Sequence, residues 1–453
     1  MNRVGERAVI IGAGMAGLAA AGALVGRFDD VIVLERDRLP ASPEWRLGAP
    51  QGQHVHALLT AGQRALERLL PGFTDALVAA GAVPARANAD SRIEAPGYDP
   101  FPQRDFGWLT YCASRPLIEF TARGLAEAHR VVFRERRRVR RLEPSADAAT
   151  VAAVWHEGDD GQSERLAADL VVDASGRAAP TLDLLQALGR APPEETVIGV
   201  DFAYSSAVFE TPVGAPDDWK ILLVMPGPNG PVHAGLLAPI EGGRWIVSLG
   251  GRGDDTPPDD VAGYMAYAQG LRTPTLGACI GGAKRLSDPV KLGFRQSIRR
   301  HFEKLDPLPR GLIPIGDSLC RFNPIYGQGM SVAALEAVRL AELLDERAGG
   351  HDPLADLSEA FVRDADAIVE GPWRMSALPD LASPETRGER PADLEQMLRF
   401  GAALQILAAE DPEVHKLDAE VRQLIKPPSA LLTPEIIQKV ASVMAREASP
   451  EPV

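Results

Sequence analysis

Cysteine is nearly absent. The 453 residues contain three, Cys112, Cys279 and Cys320, far apart and with no CxxC or metal-binding spacing. That argues against a disulfide-held scaffold and a structural metal centre, and it predicts a reducing, cytoplasmic setting. Excess positive charge is lacking too: Lys and Arg number 48 against 62 Asp and Glu, a formal net charge of −14. Nucleic acid and anionic membrane surfaces are therefore not expected partners. The one basic run, RERRRVRR at 134–141, reads as a surface strand with solvated arginines. Residues 8–26, AVIIGAGMAGLAAAGALVG, carry no charge and have the length of a membrane span. Their glycines and their short β-like start predict a buried strand, turn and helix instead, and no basic leader with a cleavage site marks a signal peptide.

The remaining composition, 45% hydrophobic and 24% charged, is that of a soluble globular chain with room for two or three domains. A strand is predicted at 8–11, a helix at 14–26 and a second strand at 31–34. After a Pro/Gly-rich connection comes an apolar helix near 56–70. SRPLIEFTARGLAEA at 114–128 reads as an amphipathic helix capped by Ser114 with Pro116 just inside. ADLVVDASGR at 168–177 is a buried strand ending in a glycine turn. Residues 195–252 are strand-rich, with a hairpin turn at Gly242-Gly243. A helix near 259–271 and the strand in GLIPIGDS (311–318) follow. Beyond about 351 the pattern is helical, in segments expected to break at Pro372, Pro391, Pro412 and Pro427-Pro428.

Three motifs carry chemistry. Gly12-x-Gly14-x-x-Gly17 joins a strand to a helix. Gly12 permits the tight turn, Gly14 lets a pyrophosphate approach the backbone, and Gly17 lets helix and strand pack closely. The helix N-terminus offers unpaired N–H groups to phosphates, and Glu35 ends the second strand where an acid can bind ribose hydroxyls. Asp173-Ala-Ser-Gly176-Arg177 ends another strand. Gly316-Asp317 ends a third, followed by NPIYGQGM and an alanine-rich helix. A carboxylate there can accept bonds from a sugar-alcohol chain, and Gly327 and Gly329 let the backbone approach a planar ring.

In that order the motifs resemble the three-part FAD fingerprint of group A flavin monooxygenases, the para-hydroxybenzoate hydroxylase fold. The resemblance spans roughly residues 6–345. It implies an α/β fold: a discontinuous Rossmann-like FAD-binding domain (1–181 and 286–350), an inserted antiparallel β-sheet substrate domain (182–285) and a C-terminal helical region (351–453). It places Asp317, with Gly316, at the ribityl chain, and Pro324, Gly327, Gly329 and Met330 at the flavin ring edge. Asp173, Gly176 and Arg177 fall near the pyrophosphate, where nicotinamide is also handled. Arg115 becomes an FAD contact, as do Met15 and Ala16 in the first turn, Arg36 beside Glu35, and Arg46 and Gln53 in the connection.

WRLGAPQGQHVHALLTAG and FNPIYGQGMS are further similar to a branch with bacterial polyether polyketide epoxidases and an FAD-bound decalin-forming cyclase. The activity implied is monooxygenation, as epoxidation or hydroxylation of a lipophilic, polyketide-like specialised metabolite. NAD(P)H would be the transient reductant, O₂ the oxidant and a flavin C4a-hydroperoxide the oxygen donor. The alternative is a cyclase that keeps FAD as a scaffold for a 4+2 cycloaddition. A third is a non-catalytic flavoprotein that binds a partner through its helical tail. None of the six tryptophans fits the Trp-x-Trp-x-Ile-Pro segment of halogenases with this fold. His54 and His56 lack a third ligand for a metal; a position beside the flavin, with Gln51, is expected instead. Phe202, Tyr204, Phe209, Trp219 and Trp245 are candidates for a greasy pocket or for core. No catalytic side chain is assigned.

Overall fold

The computed structural model describes residues 3–227, 232–305 and 307–448. A five-stranded and a seven-stranded sheet carry the site. Their strands, in chain order, are β1 (Gly5–Ile11), β2 (Phe28–Leu34), β3 (Ser91–Glu94), β4 (Val132–Arg134), β5 (Leu170–Asp173) and β6 (Glu195–Glu210). β7 (Ile221–Val224), β8 (Ala234–Ile240), β9 (Arg244–Arg252), β10 (Val290–Arg300), β11 (Leu312–Pro314) and β12 (Cys320–Arg321) complete them.

The first sheet runs β11-β5-β1-β2-β4, each pair parallel. Its strands are continuous apolar runs because both faces are covered. Ala8 and Ile10 join the core shared with the helices, while Val9 and Ile11 pack on the opposite face. There a three-stranded sheet (Arg138–Pro144, Val151–Glu157, Ser163–Ala167) and the helix Ala179–Ala187 close the layer. α1 (Met15–Leu24) is buried at nearly every position, as expected of a helix apolar all round. It packs on α2 (Thr60–Leu69), α3 (Arg115–Ala128) and α4 (Gly329–Arg347). Glycine sets these distances. A Cβ on Gly17 would lie 1.9 Å from the Gly12 carbonyl oxygen, and one on Gly22 would lie 2.9 Å from that of Leu69.

The second sheet runs β12-β10-β6-β9-β8-β7-β3. It is antiparallel except at its edge, where β3 pairs parallel with β7. Its strands reach outside 182–285 on both sides, since β10 pairs along β6 from Val290 to Arg300. One face packs on the helices Val261–Gln269 and Thr275–Gly281; Phe209, Trp219 and Trp245 belong to that core. The Gly242-Gly243 turn joins β8 to β9 with both residues in the left-handed region.

Two expectations are corrected. The helix expected from about 56 starts at Thr60, because residues 54–57 run extended and bond to the second sheet: Val55 N–H donates to Ser248 Oγ at 3.1 Å. Pro372 does not break its helix. α5 (Leu357–Leu381) continues through Pro372 and Pro379, held by burial of Val369, Trp373 and Ala377, which offsets the lost backbone bonds. The helices Leu394–Glu410, Pro412–Arg422 and Pro434–Ala448 follow. Among the described residues no helix is long and apolar enough to cross a membrane.

The glycine contacts predict opposite responses at two neighbouring positions. Gly17→Ala forces α1 off β1 and lowers stability by about 1–3 kcal/mol. Gly14→Ala, with nothing within 4 Å of the added carbon, shifts it by less than about 0.5 kcal/mol. Urea midpoints of the two variants against wild type check this.

Candidate functional site

Parallel register places the carboxyl ends of four strands in one row: Leu34 beside Ile11, Ile11 beside Asp173, and Asp173 beside Pro314. Each motif begins where its strand leaves that row, so all three open on one side of the sheet. There a cavity of about 710 Å³ lies between the sheet edge and the second sheet, within the range of about 300–1,000 Å³ usual for small-molecule sites.

The turn after β1 needs glycine: Gly12 has φ of 101°, and a Cβ there would meet the Ala174 carbonyl oxygen at 2.8 Å. The N-terminus of α1 then faces the cavity through Gly14 with no side-chain cap, leaving its N–H groups for a ligand. Glu35 Oε2 accepts from the Ala13 N–H at 2.8 Å and Oε1 from the Asp37 N–H at 3.0 Å. Arg46 closes this corner, 3.1 Å from Glu35 and 3.0 Å from Asp37. Burial works against its charge, but Glu35, Glu119 and Asp37 prevail and its pKa is raised. Arg115 donates to Glu119 through Nε at 2.8 Å, so the two inner guanidiniums share a carboxylate.

On the opposite wall Gly316 has φ of 64°, with Ala16 Cβ 2.6 Å from where its own Cβ would be. Asp317 follows, open to the cavity yet enclosed by protein. Enclosure raises its carboxyl pKa, and Arg321, Arg115 and Arg300 pull it back in part. Gly329 begins α4, again without a side-chain cap, and only Asp317 Oδ1, at 3.9 Å, lies near its missing side chain. The turn between them is held from behind. Asp380 of α5, fully buried, accepts from Asn323 Nδ2 at 3.0 and 3.1 Å, from the Tyr326 hydroxyl at 3.1 Å and from Arg252.

Gly12, Gly14, Met15, Ala16, Glu35, Arg36, Arg46, Arg115, Gly176, Arg177, Gly316, Asp317, Pro324, Gly327, Gly329 and Met330 all line the cavity. Three of the expected residues do not. Gly17 is a packing position. Asp173 turns into the sheet, where its carboxylate accepts from Ser175 N at 3.0 Å and Thr181 Oγ1 at 2.6 Å. Gln53 lies on the far side of a short 3₁₀ turn, Pro50–Gln53, and Gln51 takes the cavity side. The second sheet contributes Phe202, Tyr204, Leu223, Leu236, Ser248 and Leu249.

Other functional candidates escape sequence reasoning. Arg137, Arg138 and Arg140 line the cavity mouth because Arg137 N–H bonds the Glu35 carbonyl at 2.8 Å, a pairing no local pattern announces. Glu336 is fully buried in α4; its Oε2 accepts from Gly316 N–H at 2.7 Å and its Oε1 has no partner. Its position in an alanine-rich helix hides that role. Away from the cavity, His301, Glu303 and Asp366 lie within metal-binding reach of one another. His301, however, is bonded to Glu303 and Thr196, and Asp366 to Arg299.

The residues fit a flavin dinucleotide: two uncapped helix N-termini, open space before Gly14 and Gly329, and an enclosed carboxylate between them.

No family model matches the chain. Protein Rv3254 of Mycobacterium tuberculosis is 32% identical over 413 residues, covering 86% of this chain and 85% of that protein. Among solved structures, the flavin-dependent brominase Bmp2 matches at TM-score 0.68 and 18% identity, over 97% of this chain and 99% of that one. A 2-methyl-3-hydroxypyridine-5-carboxylic acid oxygenase mutant matches at 0.62 and 19%, over 84% and 93%. The Diels-Alderase PyrE3 from the pyrroindomycin pathway matches at 0.58 and 18%, over 92% and 80%. At these identities the structures establish the mixed α/β fold they share with this chain.

Burial lifts the Glu336 carboxyl from the ordinary 4.5 to about 8, helped by Asp317 and opposed by the Gly316 bond. Folded protein keeps this proton while unfolded chain loses it, so stability falls as pH rises from about 5 to 8, by up to about 1.4 kcal/mol per unit from this group. Glu336→Gln cannot ionise. Its stability relative to wild type is expected to rise across that window, and denaturation at pH 5, 6.5 and 8 measures the difference.

Proposed function

The chain belongs to the same family as Protein Rv3254 of Mycobacterium tuberculosis, and from that premise and the cavity we propose that it is an FAD-dependent monooxygenase. The observation that carries this reading is the meeting of three separate strand-end motifs on one cavity, each offering what a flavin dinucleotide requires. When bound, FAD supplies reduction by NAD(P)H and the transfer of one oxygen atom from O₂ to a substrate.

The chain's own residues orient and shield. The α1 N-terminus and Arg46 would hold the pyrophosphate, Glu35 the adenosine ribose and Asp317 the ribityl hydroxyls. The uncapped N-terminus of α4 would offer its partial positive charge to the ring edge and so favour negative charge there. Phe202, Tyr204, Leu223 and Leu236 make an apolar ceiling suited to a lipophilic substrate. Epoxidation or hydroxylation of a polyketide-like metabolite is the reaction this ceiling suits. A second reading, a cyclase that keeps FAD as scaffold, is favoured by one observation: PyrE3, a Diels-Alderase, shares the fold over 92% of this chain.

Aerobic turnover of lipophilic polyenes and polycycles, followed by mass, separates the two. The proposal expects NAD(P)H consumption coupled to a product one oxygen heavier. An isomeric product formed without reductant or oxygen overturns it in favour of the cyclase. Asp317→Ala removes a charged acceptor worth about 1.5–3 kcal/mol, so FAD affinity should drop about tenfold or more. Flavin absorbance retained on dilution, measured against wild type, is the check.

A further inference from the structure

His56 is a polar group of this cavity that the proposed chemistry has not used. It stands where ceiling and ring cradle meet. On one side Val55 is tied to Ser248 of β9 at 3.1 Å and His54 Nδ1 contacts Ser206 of β6 at 2.7 Å. On the other, Ala57 packs so closely on the Pro324–Gly327 turn that a Cβ on Gly327 would meet it at 2.9 Å. The segment is thereby fixed at both ends, and His56 lines the cavity between them.

Its tautomer follows from its partner. His56 Nδ1 lies 3.0 Å from the His54 carbonyl oxygen, and a carbonyl can only accept, so Nδ1 carries the proton. Nε2 then holds a lone pair. It has no partner among the described residues, and it is not among the buried unpartnered atoms, so it is open to the cavity. Burial, the neighbouring Arg115 charge and His54 keep the ring neutral, with its pKa lowered to about 3. Such a ring is too weak a base to hold a proton at working pH and is a lasting hydrogen-bond acceptor. Of the other carboxylates on this cavity, Glu35 and Glu119 hold Arg46 and Arg115, and the proposed function assigns Asp317 to the ribityl chain.

Resting on the monooxygenase reading, we propose that His56 Nε2 selects substrates carrying a hydroxyl, enol or phenol O–H donor, which it receives at the junction of ceiling and flavin cradle. The substrate class narrows from lipophilic to lipophilic with one O–H beside the reacting carbon framework. A methyl ether at that position would bury Nε2 unpaired, and sites built around a hydrogen bond discriminate strongly against analogues that lack it.

The experiment uses FAD-loaded full-length protein, anaerobic and without reductant, and reads the change in flavin absorbance on binding. The probes are matched sets from the polyene and polycycle panel: the hydroxyl compound, its methyl ether and its deoxy analogue. In wild type the hydroxyl member should bind about tenfold tighter or more, with the ratio constant from pH 5 to pH 9. His56→Phe should bring the three within about twofold, and His56→Gln, which keeps an acceptor, should restore part of the preference. Equal binding in wild type, a preference that survives in His56→Phe, a ratio that titrates between pH 5 and 7, or no spectral response from any hydroxyl member overturns the proposal. Oxygenation of the ethers as efficiently as of the alcohols would remove it while leaving the monooxygenase reading intact.

Discussion

Everything at the cavity depends on the register of four parallel strands. Leu34, Ile11, Asp173 and Pro314 lie in one hydrogen-bonded row, and the chain leaves the sheet at that row into Glu35, Gly12, Ala174 and the Ile315–Gly316 turn. A slip of one residue in any strand would exchange its core face for the opposite one, moving Ile10 out of one hydrophobic core and Ile11 out of the other. Hydrophobic burial on both faces therefore fixes the position of the polar motifs, which themselves contribute little burial. The site is precise because the sheet beneath it is apolar on both sides.

Above the row, three buried carboxyl groups brace the motifs without lining the cavity. Asp173 ties its own turn to Thr181 and, through Ser318 Oγ at 3.4 Å, to the third motif. Gly176 N–H reaches the same Ser318 hydroxyl at 3.1 Å. Glu336 holds the Gly316 N–H, and Asp380 gathers Asn323, Tyr326 and Arg252 from the cradle and the ceiling. Of these only Asp380 is ion-paired, to Arg252, and removing one partner of such a buried pair costs about 3–5 kcal/mol, a large part of a domain's net stability. Cradle, ceiling and helical tail are thus coupled through Asp380, even though none of the tail's described residues lines the cavity.

The glycine motifs, their strands and the helix capped by Ser114 were legible in sequence because each is set by local rules: tight turns, apolar runs, and a cap whose side chain accepts from Leu117 N–H at 3.2 Å. What was illegible depends on distant partners. Asp173 reads like a ligand-facing acid until Thr181 is seen beneath it. Gln51 and Gln53 are equivalent by composition, and only the 3₁₀ turn chooses between them. Pro372 breaks helices by its own chemistry, yet tertiary burial of Trp373 and Val369 carries α5 through it. The arginines from residue 134 on read as a solvated strand, and some are: Arg134 pairs with Glu164 and Arg136 with Asp159 at the surface. Their neighbours reach the cavity only because the strand end is pinned to Glu35.

The charge arrangement of the cavity follows from these supports. Arg46 and Arg115 sit deep and are matched by Glu35, Asp37 and Glu119, so the inner wall presents ordered donors with little net field. Arg138 and Arg177 at the mouth have no ion-pair partner among the described residues, so the outer wall is positive in a protein whose formal charge is −14. A polyanionic dinucleotide would be drawn by the outer field and held by the inner donors, the two wants of binding met by different residues. The far end reverses the pattern. Past Asp317 the wall turns to Phe202, Tyr204, Leu223 and Leu236, with the neutral His56 and Ser248 as polar points. The gradient from arginine to apolar wall would suit an amphiphilic cofactor, with its dinucleotide end at the arginines and its ring toward the ceiling.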